Sequence, residues 1–144
     1  MEITEVRVKL IHNQADKLRG FATITIADSI VIRDLKIIDG SHGLFLAMPS
    51  RKLCDRCQKC GGKNNLRARY CNDCGVRLKE LRGEVDERGR PRLYADIAHP
   101  INQRSRDLVQ VVVIQAYHEE IERSKQEGYV AVRFDDLDYE AYDA

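Results

Sequence analysis

Cys54-Asp-Arg-Cys57-Gln-Lys-Cys60-Gly61-Gly62, followed by Arg69-Tyr-Cys71-Asn-Asp-Cys74-Gly75, holds all five cysteines of the chain and divides its pattern in two. Two residues separate Cys57 from Cys60, two separate Cys71 from Cys74, and ten lie between the pairs. Glycine follows each pair, at Gly61 and Gly75, where it accepts the positive φ that lets backbone amides turn towards the sulfurs. Two such turns facing each other make a tetrahedral four-sulfur site, the arrangement structural zinc prefers. The spacing therefore predicts one Zn2+ per chain on Cys57, Cys60, Cys71 and Cys74. Disulfides would need an oxidising compartment, and the charged start Met1-Glu-Ile-Thr-Glu-Val-Arg7 is not a secretory signal, so the expectation is a cytoplasmic protein. A thioredoxin-type redox pair would need a single Cys-x-x-Cys beside a βαβ pattern. Iron in place of zinc stays open. Cys54, one Cys-x-x-Cys step before Cys57, reads as a spare thiol, because only Cys60 and Cys74 are both followed by glycine.

Before this stretch the pattern is that of strands. Residues 3–11 alternate, with Val6, Val8 and Leu10 on one side and Arg7 and Lys9 on the other. Phe21–Ile26 reads as the return strand with Ala22, Ile24 and Ile26 inward, Asp28-Ser29 as a tight turn, and Ile30–Ile38 as a more apolar third strand. Asp39-Gly40 signals a hairpin. Gly43–Met48 is a short apolar run closed by Pro49 and reads as a buried strand. The first part is thus expected to be a four-stranded antiparallel meander.

From Leu53 to about Pro91 no apolar face recurs, so a module here would depend on its metal for stability. The segment Glu84 to Pro91 reads as a linker. A strand is expected at Arg92–Ile97, then a helix capped by Asn102. Leu108, Val109, Val112, Val113, Ala116, Tyr117 and Ile121 recur at helical spacing and cover more than half the circumference, which calls for a second cover: a homodimer is expected, with burial by the C-terminal segment as the alternative. Tyr129–Phe134 alternates as a further strand would, and Asp135 to Ala144 is acidic and expected to fray. The fold class expected is α+β: a small antiparallel sheet of about five strands, a C-terminal helix and an inserted zinc ribbon. The expected division is residues 1–52 and 92–127 as a discontinuous core, 53–91 as the zinc-ribbon module and 128–144 as a C-terminal extension.

Net charge is +1, but Arg51 to Arg92 holds 13 Lys/Arg against 6 Asp/Glu, whereas the last ten residues hold five acids and no base. A basic middle of this kind suits a polyanion. No apolar run reaches membrane-span length, so no membrane partner is expected. There is no phosphate-binding glycine loop, nucleophile elbow or carboxylate pair at fixed spacing, so neither an enzyme nor a small-molecule substrate is expected. His42 and His99 read as structural residues at a turn and at a strand-to-helix corner.

Ile38-Asp-Gly-Ser-His-Gly-Leu-Phe-Leu-Ala-Met-Pro-Ser-Arg-Lys52 and Asp96-Ile-Ala-His-Pro-Ile-Asn102 resemble the stage V sporulation protein G (SpoVG) family of bacteria. The opening seven residues and Tyr117-His118 agree with it. The likeness covers residues 1–52 and about 92–118; Leu53 to Pro91 is inserted and itself resembles a zinc ribbon, while the tail after Glu122 has no recognisable counterpart. The resemblance implies a small antiparallel sheet with a C-terminal helix, homodimers, and regulatory binding of DNA and RNA linked in some bacteria to septation and sporulation. It implies nucleic-acid contacts at Arg51-Lys52, and at Ser105-Arg106, where serine stands for the family's threonine. Arg104 and Arg106 in a first helical turn oppose the helix dipole, and a phosphate bound there would meet both arginines and backbone amides. Arg67 and Arg69 on the insertion suit phosphate contacts that read no bases. A protein–protein adaptor docking through the ribbon is the alternative, and salt-dependent nucleic-acid binding separates the two.

Overall fold

The computed structural model describes residues 1–13 and 15–133. They form two compact units, one of residues before Ser50 and after Ile97, the other of Ser50–Ile97.

The first unit is a four-stranded antiparallel sheet, β1 (Ile3–Leu10), β2 (Leu18–Ile26), β3 (Ile30–Gly40) and β4 (Gly43–Ala47), in the order β1-β2-β3-β4. One helix, α1 (Gln103–Ser124), follows. Alternation in β1 and β2 sends Val8, Ala22 and Ile24 into the core. The β2–β3 turn carries φ of 50° at Ala27 and 51° at Asp28, and the Ser29 amide closes it on the Ile26 carbonyl at 2.9 Å. Both central residues are left-handed, as the twist of a tight hairpin requires.

Strand β3 departs from strict alternation. Ala22 pairs with Leu35 but Ile24 pairs with Ile32, so Arg33 and Asp34 together oppose Thr23. This bulge, with Asp34 at φ 65°, lets Ile32 and Leu35 both serve the core although three positions separate them. The β3–β4 loop is Ser41-His42, since Gly40 pairs with Gly43; the turn lies two residues beyond the expected Asp39-Gly40. Strand β4 is an edge strand whose Phe45 is exposed, so Gly43–Met48 is not a buried run.

Asn102 caps α1, its side-chain oxygen accepting the Ser105 amide at 2.8 Å. Val109, Val113 and Tyr117 pack on the sheet and are buried, with Ile114, Ala116 and Ile121 beside them. Fully burying a residue such as Val113 contributes about 1.5–3 kcal/mol. Leu108 and Val111 stay exposed.

Beyond the helix, Tyr129–Arg133 forms no strand, contrary to expectation; Phe134 and the acidic tail lie outside the described residues. Tyr129 is tied to α1 instead. Its hydroxyl donates to Glu120 Oε1 at 2.7 Å, and Arg123 donates to the same carboxylate at 2.6 and 3.0 Å while lying over the Tyr129 ring. Burial raises the Glu120 carboxyl, but the hydrogen bonds from Arg123 and Tyr129 outweigh it and hold the group below its ordinary value.

Glu120 therefore adds stability above its unfolded-state pKa and loses it as pH falls through the lower folded value. Glu120→Gln is expected to destabilise the first unit by about 1–2 kcal/mol near neutral pH, from weakened charge-assisted hydrogen bonds. Urea unfolding at neutral and strongly acidic pH checks this: the difference from the parent should shrink in acid.

Candidate metal centre

The second unit contains two short antiparallel strand pairs and two isolated bridges. Strand β5 (Ser50–Lys52) pairs with β8 (Tyr94–Asp96), and β6 (Cys54–Arg56) pairs with β7 (Lys63–Asn65). Isolated bridges join Tyr70 to Arg77 and Val85 to Pro91. The residues Arg92–Ile97 thus supply a three-residue strand paired with β5 rather than a fifth strand of the main sheet.

Two matching turns carry the cysteines. In the first, the Gly61 amide donates to the Cys57 carbonyl at 2.8 Å and the Cys57 amide to the Gly62 carbonyl at 2.8 Å. In the second, Gly75 donates to Cys71 at 3.0 Å and Cys71 to Val76 at 2.8 Å. Gly61 and Gly75 sit at φ 77° and 76°, where a side chain is strained. The turns bring the sulfurs of Cys57, Cys60, Cys71 and Cys74 within 4.8 Å of one another. Sulfurs about 2.3 Å from a central zinc stand about 3.8 Å apart at the corners of a tetrahedron. Cys57 and Cys74 Sγ are 3.8 Å apart, and Cys60 and Cys71 Sγ are 3.5 Å apart. These separations fit a metal between the sulfurs and are far longer than a disulfide. Cys54 lies outside the cluster, exposed, with its thiol against the Lys52 carbonyl.

Donors surround the sulfurs. The Gly62 amide reaches Cys60 Sγ at 3.3 Å; the Asp73 and Cys74 amides reach Cys71 Sγ at 3.4 and 3.5 Å. The Cys74 amide and the Asn64 side chain lead in holding the Cys71 thiol down, to about 6. At Cys60 the Gly62 amide also pulls downward, but the neighbouring Cys71 sulfur and burial outweigh it, and the thiol is pushed up to about 12. Sulfurs this close do not all ionise without a cation among them. A divalent metal would supply that charge and could take all four as thiolates.

Asn64 was not foreseen from the sequence. It is buried on β7, and its Nδ2 donates to the Gly62 carbonyl at 3.3 Å and to Cys71 Sγ at 3.4 Å. Its Oδ1 accepts the Asn72 amide at 2.8 Å. One side chain thus fastens the first turn to the second and orients a ligand. Arg82 was not foreseen either: its largely buried guanidinium donates to Asp55 Oδ2 at 2.7 Å and to the carbonyls of Lys79, Asn65 and Ala68 at 2.8, 3.0 and 3.2 Å.

The residues expected to meet nucleic acid fall in both units. Arg51 and Lys52 are adjacent on β5, so they project to opposite faces of the ribbon. Arg67 is exposed and donates to the Tyr94 hydroxyl at 3.2 Å; Arg69 is exposed. Arg104 and Arg106 are exposed and Ser105 half-buried in the first turn of α1, which contains no acid. The amides of Ser105 and Arg106 are already bonded to Asn102, so a phosphate there would not find them available. His42 lies exposed in the β3–β4 loop, and His99 is exposed rather than buried, the capping role belonging to Asn102.

The SpoVG family profile matches residues 1–119, running through the inserted module. The chain belongs to the SpoVG family. Relatives named "Putative septation protein SpoVG" include one from Finegoldia magna, 37% identical over 123 residues, covering 85% of this chain and 80% of its own length. Another, from Lachnospira eligens, is 38% identical over 117 residues, covering 81% and 91%. A third, from Clostridium beijerinckii, is 30% identical over 128 residues, covering 89% and 100%. None of these three names mentions an enzymatic activity. Among the described residues no helix is long and apolar enough to cross a membrane.

Elemental analysis of purified protein is expected to find about one metal per chain. Cys57→Ser and Cys74→Ser should lose it, whereas Cys54→Ser should retain it. Asn64→Leu should weaken metal binding about 10–100-fold, the usual cost of a lost outer partner. With Cys60 pushed up to about 12, metal must displace a proton across the neutral range, so affinity should rise with pH between about 6 and 9 in a chelator competition.

Proposed function

We propose that this SpoVG-family chain is a regulatory protein that binds nucleic acid, DNA or RNA, in the septation setting its relatives' names give. We further propose that its inserted module is a structural zinc ribbon folding on its metal. The carrying observation is where the module's charges go. Asp55, Glu84 and Asp86 are paired with Arg82, Arg92 and Arg90. Arg51, Lys52, Lys59, Lys63, Arg69, Arg77 and Lys79 are exposed and, among the described residues, form no ion pair. Between Arg51 and Arg92 there are 13 Lys/Arg against 6 Asp/Glu, and three of those acids are paired internally, so the surface keeps an excess of cations, which suits a phosphate backbone. The turns around the metal present these cations on a rigid frame.

The adaptor reading draws on a different feature. Leu81 is 83% exposed and held at φ 56°, an apolar knob with no partner in its own unit. Binding experiments separate the two. The intact chain should bind DNA or RNA with an affinity that falls steeply with salt. Removing both charges of Arg104 and Arg106, or of Arg67 and Arg69, should lower the slope of log affinity against log salt by about one to two units. An affinity indifferent to salt with every DNA and RNA pool tried would favour the adaptor.

We also propose a homodimer. On α1, Val111 is 63% exposed beside exposed Leu108, and Phe45 stands exposed on the edge strand β4. Leu44, Val111 and Ile114 line a shallow apolar depression in the same unit. A second copy covering this face would remove apolar area from water. Light scattering should give twice the chain mass at micromolar concentration, and Val111→Glu should reduce it to the monomer mass.

A further inference from the structure

The second unit contains only two aromatic residues, Tyr70 and Tyr94. Its buried residues are few, among them Cys57, Cys71 and Asn64, so a tyrosine ring would add useful apolar cover. Yet Tyr70 is 59% exposed and Tyr94 is 45% exposed. Each ring stands opposite a cation. Tyr94 pairs directly with Lys52 across the β5–β8 ribbon, and Tyr70 with Arg77 across an isolated bridge. Directly opposed residues share a face of an antiparallel pair. Tyr94 has a second cation: Arg67 Nη1 donates to its hydroxyl at 3.2 Å. That contact engages the hydroxyl, and the residue is 45% exposed.

We infer that Tyr94 is a stacking platform for an unpaired nucleobase, with Lys52 and Arg67 receiving the phosphates beside that base, so that this face takes single strands. The inference rests on the nucleic-acid reading above and names its ligand. Surfaces that bind single strands combine aromatic rings, on which bases stack, with cations that follow the backbone. In a duplex the base faces are already stacked and are not offered to a side chain. The geometry also divides a pair that the sequence presents as one unit. Lys52 shares the Tyr94 face, while Arg51, one residue away on β5, projects from the other.

The chain contains no tryptophan, which makes a direct test available. Tyr94→Trp introduces a single indole at the platform. Oligouridine and oligothymidine of about twelve nucleotides, within the site sizes such surfaces occupy, and a duplex of equal length serve as probes. Single strands should quench the indole and the duplex should not. In anisotropy measurements on the full chain, Tyr94→Leu should bind single strands about tenfold more weakly. Tyr94→Phe, which keeps the ring and loses the hydroxyl, should remain close to the parent. Lys52→Ala should weaken single-strand binding more than Arg51→Ala. Unchanged metal content and far-ultraviolet circular dichroism identify folded variants. A loss with oligouridine alone would mark the strand as RNA, a loss with both as either single strand, and each supports the platform. If single strands bind but leave the indole unquenched, or if Phe is as damaging as Leu, the stacking inference is overturned and the nucleic-acid reading stands. If the intact chain binds no nucleic acid, both fall together.

Discussion

Four sulfur atoms within 4.8 Å of one another cannot all be thiolates without a cation among them. As thiolates they repel, and as thiols they crowd a space about the size of a metal's coordination shell. The two cysteine turns repeat the same hydrogen bonds and the same left-handed glycine. What separates them is the place a metal would take. The strand pair β6–β7 and the bridge from Tyr70 to Arg77 hang on these turns. The metal is therefore the proposed core of the module, in the place that apolar side chains fill elsewhere.

The two units are stabilised differently. In the first, Val8, Ala22, Ile24, Leu35 and Ile37 from the sheet meet Val109, Val113 and Tyr117 from the helix, and burial of apolar area carries the fold. In the second, polar side chains make the internal connections. Asn64 joins the cysteine turns, and Arg82 gathers Asp55 and three backbone carbonyls. This difference bears on function. A module whose inward groups are four sulfurs and a few polar side chains has little use for its remaining charges inside, so they lie on its surface. Those cations and the two partly exposed tyrosines form the surface proposed to meet nucleic acid.

Much of this was legible in the sequence, for definite reasons. Cysteine spacing with a following glycine encodes a local turn, so the four-sulfur cluster could be read without tertiary information. The β1 and β2 alternation and the Asn102 cap are local signals of the same kind. Features set by pairing between distant residues were not legible. The bulge at Arg33-Asp34 exists because β3 must serve the same face as β2, and no period-two reading finds it. Tyr94–Asp96 looked like another strand of the sheet, but its partner is β5 of the other unit. Phe45 sits in an apolar run, yet an edge strand leaves it exposed. Asn64 and Arg82 carried no sequence signal, since an Asn in a polar stretch and an Arg among many arginines are ordinary until their partners are known. The adjacent Arg51 and Lys52 looked like one basic pair until strand geometry set them on opposite faces.

The central claim is that a metal organises residues 53–91 while the sheet and helix stand without it. Hydrogen exchange of the full chain, followed by peptide before and after metal removal by a strong chelator, tests it most directly. The account predicts that amides bonded within the cysteine turns, including those of Cys57, Gly61, Cys71 and Gly75, lose protection on chelation. Amides of β2 and of α1 around Val113 should keep theirs. Protection in the cysteine turns that is unchanged after complete metal removal would contradict the account, as would loss of protection throughout both units together.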